Sequence, residues 1–368
     1  MRIAFDAKRY FHNKTGLGNY SRKLISALST FYPNHEYYLC DSKPDESFMR
    51  PLAHCEILRS EKNYIPDTFW RTYSIADDLK QKNIALYHGL SNEIPWSLKK
   101  NGIKSVVTIH DIIHKLYPNY YPLIDRIIYD RKVSYACKNA DIILSTSHQT
   151  KSDLAIYYNV NPERVQVVYQ SVVMPEVNEQ QLAEAKEKHN LKTPYFLYVG
   201  RIEERKNLLT ALKAFKKLNN RELSFYVVGQ GGAYKELCET FAQDELPGQV
   251  TFFSGIDNVD LCAFYKYSIA LIFASHYEGF GIPIIEAQIL RTPVITSQYG
   301  CFREIASVAA IYVNPNNIDQ LSESMKTIYS DSGLRNELQQ AGQENAKRFT
   351  PESFANELMS AYEKLFNR

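Results

Sequence analysis

Ile269-Ala270-Leu271-Ile272-Phe273-Ala274, continuing through Ser275-His276-Tyr277-Glu278-Gly279-Phe280-Gly281-Ile282-Pro283-Ile284-Ile285-Glu286, decides the fold. Its first six residues form an unbroken apolar run, as in a strand buried on both faces of a parallel sheet. A loop with two glycines and a carboxylate follows, and Pro283 then sets the first turn of a helix. Glycine lets backbone approach a ligand closely, and the free N–H groups at a helix start attract phosphate. Glu278 falls in the loop and Glu286 about one turn into the helix, so both acids flank one site. Such a pair beside an anion-binding helix start suits a sugar joined to a nucleotide diphosphate. Either glutamate alone reads as ordinary surface polarity. Gly279, Gly281 and Pro283 in the same segment favour the ligand site.

Outward from this segment the same unit repeats. Short strands are expected near residues 2–7, 36–41, 54–58, 84–88, 104–109, 141–146 and 165–169 in the first half. In the second they fall near 195–199, 224–228, 250–254, 269–274, 293–296 and 310–313, with amphipathic helices between. Strands alternating with helices imply parallel sheets covered on both faces, an α/β fold. A weakly patterned stretch between Val173 and Thr193 reads as the linker. It separates an N-terminal domain, 1–175, from a C-terminal domain, 190–350, with a last helix over 351–368.

The chain has 368 residues, enough for two domains of ordinary size, and its 45% hydrophobic content supports two full cores. A net charge of +2 argues against nucleic acid as a partner. Six cysteines stand at no metal or disulfide spacing, which fits reduced thiols and a cytoplasmic protein. Met1 to Asp6 enters a strand directly, without the apolar stretch of a signal peptide. No apolar run approaches the roughly 20 residues that span a bilayer.

Four other segments carry chemistry. Tyr198-Val199-Gly200-Arg201 ends a strand and leads through Ile202-Glu203-Glu204 to Arg205-Lys206-Asn207. Basic groups beyond a parallel strand and beside a helix start form a diphosphate clamp, and Arg201 and Lys206 are the expected members. Arg205 reads as a solvated helix start. Lys14-Thr15-Gly16-Leu17-Gly18-Asn19-Tyr20 joins the first strand to the first helix, where Gly16 and Gly18 open backbone N–H groups to an anion. Val106-Val107-Thr108-Ile109-His110-Asp111 delivers His110 to a strand end, with Asp111 as its orienter or a loop cap. Val228-Gly229-Gln230-Gly231-Gly232 imitates a dinucleotide fingerprint but lacks the third glycine at the required spacing. No Asp-X-Asp pair stands at a strand end to hold a metal, so no metal or cofactor is expected and fixed cations must serve the leaving group.

With seven residues between its two glutamates, Glu278 and Glu286, the opening segment resembles the signature of glycosyltransferase family 4 (group 1). These are retaining nucleotide-sugar transferases of the GT-B fold, and the resemblance covers the full length. It implies two Rossmann-like doubly wound domains facing a central cleft, closed by a C-terminal helix that crosses back. It places Arg201 and Lys206 at the donor diphosphate, Glu286 on the ribose hydroxyls and Glu278 on the transferred sugar. Backbone N–H groups of Phe280, Gly281 and Ile282 would hold sugar or phosphate oxygens, and His110 would position the sugar. Gly229 to Gly232 becomes a turn lining the donor pocket. Tyr87-His88-Gly89-Leu90-Ser91-Asn92-Glu93-Ile94-Pro95 with His110-Asp111 resembles bacterial mannosyl- and hexosyltransferases of surface polysaccharide assembly, including lipopolysaccharide. That implies a GDP- or UDP-sugar donor, with GDP-mannose favoured, and a saccharide or lipid-linked acceptor. Tyr169-Gln170-Ser171-Val172 departs from the Asn-Gly turn of many relatives. The segment from Tyr117 to Lys138 mixes tyrosines with basic residues, and a peripheral membrane contact and an ordinary solvated helix both stay open. A sugar-nucleotide epimerase and a non-catalytic nucleotide-sugar-binding scaffold also remain open, with an NAD-dependent oxidoreductase last.

Overall fold

A computed structural model describes residues 1–45, 47, 54–60 and 66–367. The chain divides into two compact units, one of residues 1–171 with 349–368 and the other of residues 172–348.

The first unit is built on a seven-stranded parallel sheet. Its strands are β1 (Arg2–Asp6), β2 (Glu36–Cys40), β3 (Cys55–Leu58), β4 (Leu86–Gly89), β5 (Lys104–Ile109), β6 (Ile142–Ser145) and β7 (Val165–Val167). Their spatial order is β3-β2-β1-β4-β5-β6-β7, so the winding reverses between β1 and β4. Successive residues of a strand point to opposite faces, and here both faces are covered. Ile3 and Phe5 enter one core with Val106 and Leu144, while Ala4 enters the other with Val107 and Ile143. The helix Pro351–Glu363 belongs to this unit, where Phe354, Leu358 and Tyr362 join the first core.

The second unit carries a six-stranded parallel sheet of β8 (Tyr195–Val199), β9 (Ser224–Val228), β10 (Val250–Phe253), β11 (Ala270–Phe273), β12 (Val294–Ser297) and β13 (Ile311–Val313). The order β10-β9-β8-β11-β12-β13 reverses between β8 and β11. Ligands of open parallel sheets bind beyond the strand ends at such a reversal.

Two expectations are corrected here. The stretch between Val173 and Thr193 is not an unpatterned linker, since it contains the helix Glu179–Lys188. Asn178 and Gln181 form a reciprocal capping box at its start. Only Leu182 and Ala185 are buried, too few for an amphipathic signal to stand out. Asp260 accepts from Lys188 at 2.6 Å and from His189 at 2.7 Å, fastening the helix end to its neighbour. The second correction concerns the first βα connection. A short helix, Lys8–His12, intervenes, and the long helix Gly16–Phe31 begins at Gly16 itself. Gly16 and Gly18 therefore sit in a first helical turn, not in an open loop.

Candidate active site

In the second unit, β8 and β11 run side by side and release their loops at the same end. Gly200 leaves β8 at φ 142°, a conformation that excludes most side chains. Its missing Cβ faces the Lys206 side chain, whose Nζ lies 3.6 Å from where that carbon would stand. Gly229 is glycine for another reason. A Cβ there would meet the Gly200 carbonyl oxygen at 1.9 Å, so the Gly229–Gly231 turn is pressed against the Gly200–Ile202 loop.

Glu278, in the loop after β11, stands at the centre. Lys206 Nζ lies 2.8 Å from its Oε1, and Arg205 Nη1 lies 2.9 Å from its Oε2. Ser275 Oγ donates to Oε1 at 3.1 Å. Burial alone would raise the Glu278 pKa, but the charges of Lys206 and Arg205 outweigh it and hold the carboxyl below its ordinary range. The carboxylate is therefore ionised at neutral pH and saturated by cations. This ion pairing stands beside the sequence expectation, in which Glu278 contacts sugar hydroxyls.

Arg205 is the residue that sequence reasoning missed. It is not a solvated helix start: its side chain is 8% exposed, pairs with Glu203 and Glu278, and donates to the Tyr277 carbonyl. Its neighbours in sequence give no sign of this, because Glu278 belongs to another loop. Arg201, by contrast, keeps 77% of its side chain exposed, with Glu203 at 3.8 Å. Asn207, at φ 60°, donates to the carbonyls of Ala274 and Pro315 and ties the turn to the end of β11.

The helix Ile282–Ile289 then begins behind Gly281, at φ 121°, with Pro283 in its first turn and no side-chain cap. Among the described residues the N–H groups of Gly281 and Ile282 meet no hydrogen-bond acceptor, which leaves them as donors at the positive end of a helix dipole. Phe280 is buried, with its carbonyl accepting from Cys301. Half-buried Glu286 accepts from the Tyr265 hydroxyl at 2.8 Å. The structure thus brings Arg201, Arg205, Lys206, Glu278, Gly281, Ile282 and Glu286 to one sheet end.

A second cluster belongs to the first unit. His110 follows β5 and is buried. Its Nε2 lies 2.8 Å from the Leu90 carbonyl, which only accepts, so Nε2 carries the proton and Nδ1 presents a lone pair. Burial lowers the His110 pKa to about 4, so the ring is neutral at pH 7. Tyr20 meets it edge-on at 4.5 Å. Asp111 Oδ1 accepts from Ile113 N–H at 3.1 Å, which makes it a loop cap. His110, Asp111, Leu17 and Arg9 line a cavity of about 190 Å³. Leu17 stands between Gly16 and Gly18 in the uncapped start of its helix, which therefore borders the same cavity. Gly16 is open, whereas a Cβ on Gly18 would meet the Asn13 carbonyl oxygen at 1.7 Å. Gly18 is thus needed for the backbone's own approach.

Arg71 is a further unexpected feature of this unit. Nine-tenths buried, it donates to Asp6 at the end of β1 at 2.6 Å and to Glu93 beyond β4 at 2.9 Å. These bonds pin together the two loops that flank the winding reversal. Among the described residues no three His, Cys, Asp or Glu side chains gather as metal ligands. All six cysteines are free. No helix among the described residues is long and apolar enough to cross a membrane.

Comparison with known proteins agrees with this geometry. Residues 179–345 match the family model for glycosyl transferases group 1, and residues 15–173 match that for glycosyltransferase family 4. The O-antigen chain mannosyltransferase RfbU of Salmonella typhimurium is 29% identical over 327 residues, covering 85% of this chain and 87% of that protein. O-antigen chain mannosyltransferase B of Escherichia coli is 26% identical over 394 residues, covering 99% and 100%. Among solved structures, sucrose-phosphate synthase of Thermosynechococcus elongatus superimposes with a TM-score of 0.79 at 22% identity, covering 100% of this chain and 99% of that one. HepE of Anabaena, solved with UDP and glucose, gives 0.75 at 14% identity, covering 98% and 99%. These likenesses establish the shared two-domain fold.

Proposed function

The chain belongs to the group 1, family 4 glycosyltransferases, and on that premise we propose that it moves a hexose from a nucleotide-sugar to a saccharide or lipid-linked saccharide with retention of anomeric configuration. The observation that carries the reading is the charged cluster at the β8 and β11 ends, beside an uncapped helix start and Glu286. Exposed Arg201 and the open N–H groups of Gly281 and Ile282 suit a diphosphate. Glu286, already fixed by Tyr265, suits ribose hydroxyls, since a carboxylate accepts two at once. Glu278 holds the Lys206 ammonium beside the Gly200 bend, and its carboxylate suits hydroxyls of the transferred sugar. His110 Nδ1 accepts from a sugar hydroxyl and so positions it, remaining neutral throughout.

In this reading the acceptor oxygen bonds to the anomeric carbon on the face from which the diphosphate leaves. The carbon–oxygen bond to phosphate breaks, and the acceptor proton passes to a leaving phosphate oxygen. Arg201 and Lys206 stabilise the charge that grows there without a divalent ion, so fixed electrostatics and positioning supply most of the rate. The mannosyltransferase relatives, named for O-antigen chains, support mannose as the sugar and surface polysaccharide as product, and GDP-mannose is the donor of this reading. A cytoplasmic position at the inner membrane face completes the proposal.

The test begins with thermal shift against GDP-, UDP- and ADP-sugars, in which the true donor raises the melting temperature by binding only the folded state. Transfer with that donor follows, and NMR reads the anomeric configuration of the product. An inverted product overturns the mechanism. Lys206→Ala is expected to lower turnover roughly a hundredfold, as when a preorganised charge donor is lost from a transition state. A fall of less than tenfold removes Lys206 from the clamp.

A further inference from the structure

The helix Leu123–Asn139 carries apolar residues on the wrong side. Its inner face is Val133, Ala136 and Cys137, all buried. At about 100° per residue, the opposite face runs through Ile124, Ile128, Arg131, Tyr135 and Lys138. A surface helix should be polar there. Instead Ile124 is 72% exposed, with Leu123, Ile127 and Ile128 also open to solvent around it. Four exposed aliphatic side chains in two turns are a contiguous patch rather than scattered surface carbon.

The same face becomes basic toward its C-terminal end. Arg131 and Lys138 follow Ile124 at spacings of seven, both are exposed, and neither has an acidic partner among the described residues. Asp125 and Asp130 point elsewhere on the wheel, and Asp130 is engaged by Lys115 and Tyr158. Tyr135 then extends the face sideways. Its ring stacks on Trp96 with centroids 4.9 Å apart, and its hydroxyl donates to the Trp96 carbonyl. Trp96, 53% exposed, meets Tyr73 at 5.3 Å, and Tyr73 meets exposed Phe69 at 5.1 Å. Lys99 and Lys100 stand exposed just beyond Trp96.

We propose that this face docks on an anionic lipid bilayer, with Ile124, Ile127 and Ile128 sunk at the acyl boundary and Trp96 at headgroup level. Arg131 and Lys138 would meet lipid phosphates. Aliphatic insertion, an aromatic belt and unpaired basic charge together match an anionic interface. A second copy across a twofold axis fits less well, because the same face would have to meet itself and offers Arg131 and Lys138 no acid to pair with. A sugar chain finds no hydrogen-bonding groups on the isoleucines. The same helix turns Tyr129 and Lys132 into the His110 cavity. A lipid-linked acceptor would therefore pass from bilayer to cavity across a helix diameter of about 10–12 Å. The inference rests on the membrane part of the function proposed above and names its surface.

Fluorescence supplies the experiment, because the chain has two tryptophans and Trp70 is buried while Trp96 is exposed. Purified protein without donor or acceptor is titrated with vesicles of phosphatidylglycerol and phosphatidylcholine, or of phosphatidylcholine alone. A blue shift with the anionic vesicles, lost at high salt, is expected. Ile124→Ser with Ile128→Ser should weaken partitioning roughly tenfold through lost apolar burial, and Arg131→Ala with Lys138→Ala should remove the preference for anionic lipid. Both variants should transfer to a soluble acceptor as wild type does, so failure of the surface and failure of the reaction are read separately. No shift with wild type at low salt overturns the proposal. So does unchanged binding by the isoleucine variant, or its conversion from dimer to monomer with vesicle binding intact.

Discussion

His110 in the first unit and Glu278 in the second are both titratable, both enclosed, and held in opposite ways. Burial removes the charge of His110: it lowers its pKa to about 4, and a single carbonyl fixes the tautomer. Glu278 is kept charged, because Lys206 and Arg205 overcome the cost of burial. A neutral ring is a fixed acceptor that does not respond to a passing phosphate. An ion-paired carboxylate holds two cations in place. The contrast is between a group kept neutral by burial and a cluster kept charged by its partners.

The largest effect should come from breaking the charged side. Glu278→Ala leaves Arg205, which is 8% exposed, and Lys206 without their shared counterion. Removing one partner of a buried pair typically costs about 3–5 kcal/mol. Chemical denaturation should show a loss of that order, with Glu278→Gln intermediate because Ser275 and Lys206 still find an oxygen. A loss under about 1 kcal/mol, the value of an exposed pair, would mean that the cluster is effectively solvated.

Acid should separate the two sites next. Glu278 has a lowered folded pKa, so its contribution is present above the ordinary carboxylate range and disappears only as pH falls through the lower folded value. His88, lowered to about 3, and His110, lowered to about 4, behave otherwise. The unfolded chain protonates both near pH 6.5, so stability falls with pH below that point and continues to fall until the folded state also takes up protons. Two such histidines give a slope approaching about 2.7 kcal/mol per pH unit. Urea unfolding between pH 7 and 5 measures it. His110→Gln, whose amide still donates to Leu90, should remove about half the slope, and an unchanged slope would show His110 to be hydrated.

The contrast also marks where sequence was informative. The thirteen strands among the described residues lie within a few residues of the runs that announced them; inner strands such as β8 and β11 are buried on both faces and have no choice but to be apolar. Gly281 and Pro283 sit at the helix start that their chemistry demands. What was not legible depends on partners distant in sequence. Nothing local to Arg205 says that Glu278, in another loop, will bury it. Gly18 looked like an anion-binding glycine and is needed by the Asn13 carbonyl, while Gly16 beside it is open. The helix Glu179–Lys188 escaped because a capping box and two buried side chains build it, without a broad apolar stripe.

The smallest effect tests whether the dry network in the first unit does more than hold His110 still. The Tyr362 hydroxyl lies 2.7 Å from His88 Nδ1, His88 Nε2 lies 2.8 Å from Thr108 Oγ1, and Thr108 Oγ1 lies 3.0 Å from the Tyr20 hydroxyl. Tyr20 in turn touches the His110 ring. Tyr362→Phe removes one hydroxyl from this chain and leaves a buried imidazole nitrogen unpartnered. The expected loss is about 1–2 kcal/mol of stability, the desolvation cost of an unsatisfied polar atom, with kcat and the donor KM close to wild type. A raised donor KM at unchanged stability would instead place the C-terminal helix in control of the His110 ring, and neutrality would then be only part of what the first unit supplies.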